Sequence, residues 1–289
     1  MREMLMKIGG LLTIGMILGA SQTVPGVPEW RAVFGYAPES VHRFEVRDFG
    51  YPFVPVVLRR DTLWLPFDTG NMVGLSVETN MFHSLGLPCS DQWGRLDSAG
   101  QLISSGCIAH GSEVKVFGVV HDSVSVYELS NEVLPGLVGP GMIPGDRFTM
   151  DYKARVMAAD DRDTPEEIPG FAPIPLVQSS RHPRLILVRG RVQGHDVLIE
   201  IDTGKSRTTI DRKLVRTLGL EVGPNGIRVG RIDLGPRSWI VSRARIVDTS
   251  GISKVLPMPI SLGIGSDILA GFVFTVDYGA GRLWVELPQ

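Results

Sequence analysis

The chain has 289 residues, 43% of them apolar and 21% charged, with a formal net charge of -2. Such a composition belongs to an ordered globular chain, long enough for one large domain or two small ones, and excludes a disordered segment. No extended basic block is present, which argues against a nucleic-acid surface.

Residues 1–21 begin with Arg2 and Lys7, continue through an apolar run over 8–18, and close on Gly19, Ala20 and Ser21. This is the layout of a secretory signal peptide. The run is shorter than the ~20 residues that cross a bilayer, so an uncleaved anchor is the weaker alternative. No Cys follows it to carry a lipid. The mature chain is expected to be exported, periplasmic or secreted, with no stable membrane span after signal removal. Residues 22–43 are Pro-rich and read as a lead-in segment, either loose or strapped across the domains.

From residue 44 the pattern turns to strands. "FVPVVLRRDTLWLPFDTG" is an apolar strand, a polar turn and a second apolar strand that ends in Asp68-Thr69-Gly70. "MFHSLGL" (81–87) reads as a short helix closed by Gly86. "SEVKVFGVVHDSVSVY" alternates with period two. Residues 158–183, rich in Asp, Glu and Pro, read as a linker. Beyond it the series repeats. "RLILVRGRVQGHDVLIEIDTG" ends in Asp202-Thr203-Gly204, "LVRTLGL" (214–220) matches the helix, and Phe274-Thr275-Val276-Asp277-Tyr278 matches Phe148-Thr149-Met150-Asp151-Tyr152. Matched blocks in one order identify an internal duplication. The expected class is all-β, with an N-terminal lobe over 44–157 and a C-terminal lobe over 184–289.

The doubled tripeptide has a chemical reading. Gly permits a tight turn, Thr can bond across an interface, and Asp is presented at the lobe surface. If the lobes face each other about a pseudo-twofold axis, Asp68 and Asp202 meet there. Two carboxyl groups roughly 3 Å apart share one proton, and such a pair activates water as an acid and a base together. Two Cys and six scattered His give no metal motif, and no cofactor is expected. In an exported chain Cys89 and Cys107 are a disulfide candidate.

These residues resemble the retropepsin-like and pepsin-like aspartic proteases, in their bacterial single-chain, two-lobed form. The resemblance covers most of residues 44–289. It rests on apolar-Asp-Thr-Gly twice, each followed by an apolar-Gly segment, Leu137-Val138-Gly139 and Gly263-Ile264-Gly265. It implies the acid protease fold, two homologous retropepsin-like β-barrel lobes with pseudo-twofold symmetry. It implies Asp68 and Asp202 as catalytic pair, with Thr69, Gly70, Asn71, Thr203, Gly204 and Lys205 supporting their loops. A hairpin flap is implied over 93–107, with Trp93 at its arm and Asp97, Ser98, Ala99 and Gly100 at its tip; Trp93 stands for a flap Tyr or simply packs. A Cys89–Cys107 bridge would tether the base of that flap.

Three positions depart from the family pattern. Asn71 and Lys205 occupy places where a hydroxyl usually bonds the outer oxygen of the catalytic Asp. Asn71 can replace that bond. Lys205 cannot accept a proton, and is expected to point to solvent; an ammonium on the pair would oppose the shared proton. Gly263 stands where a larger apolar residue is usual, which suggests a looser loop. Asp151 and Asp277 read as turn and hydrogen-bond residues, and His83 and His110 as surface residues. The expected activity is that of an exported, monomeric aspartic endopeptidase acting on peptide or unfolded protein. The alternatives are a catalytically inactive peptide-binding protein on the same fold and a purely structural pair of barrels.

Overall fold

The apolar runs of the sequence form hairpins whose inward side chains are removed from water. Val54, Val56 and Leu58 on the strand Tyr51–Leu58 are fully buried. Its antiparallel partner Asp61–Pro66 leads through Leu65 and Phe67, also fully buried, toward Asp68. In the second half, Leu187–Val192 pairs with His195–Ile201 through a two-residue turn. Gln193 and Gly194 both take positive φ in that turn, the geometry that matches strand twist. The computed structural model describes residues 29–96, 102–130, 133–224, 226–254, 256 and 258–288.

The protein is all-β, and among the described residues its helices are all short. An eight-stranded sheet draws its strands from residues 45–138, and a seven-stranded sheet from 187–264. The third main sheet has six strands and mixes the two halves of the sequence. Arg147–Asp151 pairs antiparallel with Phe274–Asp277, so that Thr149 faces Thr275, Oγ1 to Oγ1 at 2.5 Å. Phe67, Phe148 and Phe274 form a line of edge-to-face rings with neighbouring centroids 5.6 and 6.3 Å apart. Each ring of that kind contributes about 1.5–3 kcal/mol by burial, and the line joins the halves into one core. Among the described residues, no helix is long and apolar enough to cross a membrane.

Residues 29–43 settle the choice between a loose lead-in and a strap. Trp30, Phe34 and Tyr36 are buried. The indole Nε1 of Trp30 donates to Asp151 (2.9 Å), and Thr149 Oγ1 donates to Tyr36 Oη (3.0 Å). Val41–Arg43 then adds an edge strand to Val156–Asp160. Beneath the strap, Arg147 makes two 2.9 Å hydrogen bonds to Asp160, with its guanidinium 4.4 Å from the Tyr36 ring centroid.

The segment 158–183 is more structured than a linker. Val156–Asp160 is a wholly buried strand, so 158–160 belong to the six-stranded sheet. Phe171–Pro175 is that sheet's other edge, paired with Arg282–Glu286. Pro173 and Pro175 are tolerated there because an edge strand needs no second set of N–H donors. Asp151 and Asp277 do hold turns, accepting from the N–H groups of Ala154 and Ala280. Residues 1–28, where a signal peptide is expected, lie outside the described residues.

Candidate active site

Each Asp-Thr-Gly follows a strand whose end is buried and turns back on itself. The Asp68 N–H donates to Val138 O (2.8 Å), and the Asp202 N–H donates to Ile264 O (3.0 Å). The apolar-Gly segments therefore brace both loops. Within each loop the Asp carboxylate accepts from the Gly two residues on, Gly70 to Asp68 Oδ1 and Gly204 to Asp202 Oδ1, both at 2.8 Å. These Asx turns fix the direction of both side chains.

The loops meet through their threonines, which are fully buried. The Thr69 N–H donates to Thr203 Oγ1 (3.1 Å), and the Thr203 N–H donates to Thr69 Oγ1 (3.0 Å). The hydroxyls pass their own protons to the opposite strands, Thr69 to Ile201 O (2.9 Å) and Thr203 to Phe67 O (2.6 Å). The glycines are required by approach. A methyl group on Gly70 would stand 2.6 Å from Asp202 Oδ2, and one on Gly204 would overlap the Asp68 carboxyl.

Asp68 and Asp202 are thus brought together, side chain to side chain. Burial holds the Asp68 carboxyl well above the usual carboxylate range, and the charge and hydrogen bond of Asp202 push it the same way. The Gly70 N–H and Lys205 oppose this without cancelling it. Tyr152 lies in the same field. Its phenol is pushed up by burial, then by the charges of Asp202 and Asp68, and its buried Oη makes no hydrogen bond.

Lys205 does not point to solvent. Its ammonium donates to Asp202 Oδ2 and, at 2.5 Å, to Glu200 Oε2. Burial lowers its proton affinity, but the two carboxylates outweigh that and raise it above the ordinary lysine value. Gly263 explains the path. It stands opposite Glu200 on one side and Thr209 on the other. A Cβ there would come within 3.1 and 3.2 Å of Lys205 Cε and Cδ. The missing side chain leaves a channel for the lysine stem, not a looser loop. Asn71 also departs from expectation. Its Oδ1 accepts from Val73 N (3.3 Å) and its buried Nδ2 has no partner, so it does not bond Asp68. Glu200 escaped sequence reading, although one acidic residue in the apolar strand "VLIEI" was a signal.

The candidate flap rises from an antiparallel pair, Asp91–Leu96 with Leu102–Val116. Cys89 and Cys107 are joined at its base, with Cα atoms 5.2 Å apart. The Cys107 N–H donates to Glu128 Oε2 (2.8 Å). Trp93 packs downward, its Nε1 donating to Glu128 O (2.9 Å), which is the packing alternative. The tip residues Asp97, Ser98, Ala99 and Gly100 lie outside the described residues. His83 and His110 stay peripheral, against Glu128 and Ser125.

Comparison with protein-family models returns no match, and comparison with curated proteins returns none either.

Proposed function

We infer that the protein is an exported aspartic endopeptidase, built as two homologous barrel lobes over 44–157 and 184–289 related by a pseudo-twofold axis. The observation that carries this reading is the reciprocal seating of the two Asp-Thr-Gly loops, each threonine bonded to the other's backbone with Asp68 against Asp202. The Cys89–Cys107 bridge is compatible with export.

The chemistry follows from two carboxyls holding one proton. A water between them loses a proton to the ionised carboxylate as its oxygen bonds to the peptide carbonyl carbon. The protonated carboxyl gives its proton to the carbonyl oxygen, and a neutral gem-diol results. The first carboxyl then protonates the amide nitrogen, and the C–N bond breaks. The second recovers its proton from a diol hydroxyl as the acid product forms. One peptide bond and one water become a carboxylic acid and an amine, with the pair restored. An extended substrate would lie across the loops, held by backbone bonds to the flap.

The test is cleavage of denatured casein by the mature chain between pH 3 and 7, beside Asp68→Asn and Asp202→Asn and with a statine-type inhibitor. Cleavage that both variants and the inhibitor abolish, in folded protein, supports the reading. The Lys205 ammonium on Asp202 favours one second reading, a catalytically silent peptide-binding protein. That reading predicts peptide binding with no cleavage at any pH.

A further inference from the structure

The two Asp loops differ in three places that touch one another. Where the first half has Pro66, Asn71 and Leu137, the second has Glu200, Lys205 and Gly263. The correspondence follows from the backbone: Ile264 braces Asp202 as Val138 braces Asp68, and Gly263 faces Thr209 as Leu137 faces Ser76. A lysine, the carboxylate that anchors it and the gap that admits its stem therefore occur together on one side only. Any one alone would be unfavourable: a buried Glu200 without a cation, or Lys205 without room.

We propose that Lys205, seated over Gly263 and anchored by Glu200, is a positioning residue that keeps the negative charge on Asp202 and the proton on Asp68. This rests on the reading of the pair as one active site. Asp202 would then be the group that takes the proton of the water, and Asp68 the group that protonates the carbonyl oxygen. Among the described residues, the ion pairs of Lys205 are with Glu200 and Asp202 alone. The two aspartates are therefore electrically unequal.

The groups facing this ammonium are few. Glu200 comes from the strand below and Asp202 from the loop itself. Asp68 comes from the opposite loop, and Tyr152, in the turn after Arg147–Asp151, lies in the field of the two aspartates. Asp267, on the neighbouring helical turn, is occupied by the N–H and Oγ1 of Thr208. Burial pushes the Glu200 carboxyl up, Lys205 opposes this without cancelling it and Asp202 adds to it; the ammonium contact with Asp202 places the negative charge of the aspartate pair there.

The test is a pH titration by NMR of protein carrying ¹³C-labelled Asp and Glu carboxyls. Asp68→Asn and Asp202→Asn assign the resonances, and a kcat/KM profile is measured alongside. The comparison is wild type, Lys205→Met and Glu200→Gln/Lys205→Met; the double variant carries no unpaired Glu200 and covers a failure of the single one to fold. The inference expects the Asp202 midpoint to rise by about one pH unit or more in Lys205→Met, and by less in the double variant, which also loses the neighbouring Glu200 charge. The acid limb of kcat/KM should rise with it, and Lys205→Arg should restore both. An Asp202 midpoint unmoved by loss of Lys205 overturns the inference, even if the protein cleaves peptides. A midpoint that moves in a protein with no turnover supports the charge placement and removes the protease reading instead. Wild type inert and Lys205→Met active would also overturn it, since the lysine would then be a block.

Discussion

Thr69 and Thr203 hold each other's backbone, each hydroxyl accepting from the other's N–H while donating to the carbonyl of the opposite strand. Four buried hydrogen bonds therefore depend on two side chains. Thr203→Val keeps the shape, but leaves the Thr69 N–H and the Phe67 carbonyl without partners. The expected cost is about 3 kcal/mol, since each buried orphan costs roughly 1–3 kcal/mol. Thr69→Val should cost about the same. The double variant orphans all four backbone groups, two per side chain, so it should lose more than either single variant. Urea denaturation of the three variants measures this, and a loss well under ~1 kcal/mol in both single variants would count against the reciprocal arrangement.

The pH dependence of stability carries the mark of Asp68. Its carboxyl is held above the usual range by burial and then by Asp202. Below about pH 3.9, folded and unfolded chains both keep it protonated, and stability is at its fullest. As pH rises, the unfolded chain ionises first, and this contribution is lost progressively until the folded-state value is passed. Asp68→Asn should therefore be more stable than wild type at pH 7, with the advantage shrinking toward pH 4. Denaturant midpoints at the two pH values check the sign. In the proposed enzyme the same change should lower kcat/KM by roughly a thousandfold.

Gly263→Ala should disturb the site from behind. Its methyl would stand 2.6 Å from Thr209 Oγ1 as well as against the Lys205 stem. Overpacking of this kind costs about 1–3 kcal/mol. Thermal denaturation of Gly263→Ala and Gly263→Ala/Lys205→Ala separates the contacts. Truncating the lysine should recover part of the loss, and the remainder belongs to Thr209.

The Cys89–Cys107 bridge closes a loop with a sequence separation of 18. Chain-entropy reasoning assigns a closure of that length about 3 kcal/mol. Cys89→Ser/Cys107→Ser should lose a stability of that order. If the hairpin is a flap, KM for a peptide should rise more than kcat falls. Equal effects on both would place the bridge in the scaffold only.

The reading of the sequence worked where the signal is local. Period-two runs such as "SEVKVFGVVHDSVSVY" identify strands by themselves, and a tripeptide after an apolar run marks a loop wherever it falls. It failed where the answer lies across a sheet. The course of Lys205 depends on Gly263, on a strand brought alongside by the parallel pairing of His195–Ile201 with Ile260–Ile264. The segment 171–175 has prolines at alternate positions, which reads as linker but suits an edge strand. Residues 29–43 are sparse in strand pattern, yet Trp30, Phe34 and Tyr36 together carry enough apolar area to demand burial.

The six-stranded sheet has a consequence for how the chain is made. Its central pair joins Arg147–Asp151 to Phe274–Asp277, and its last hairpin partner ends at Glu286. The first half can build its own eight-stranded sheet while the second is still being synthesised. It cannot complete this shared one. Phe148 stays without its partner Phe274 until the second half has been synthesised, and contacts so distant in sequence form slowly. The two Asp-Thr-Gly loops seat each other through bonds that likewise span the halves, so neither half alone can assemble the site.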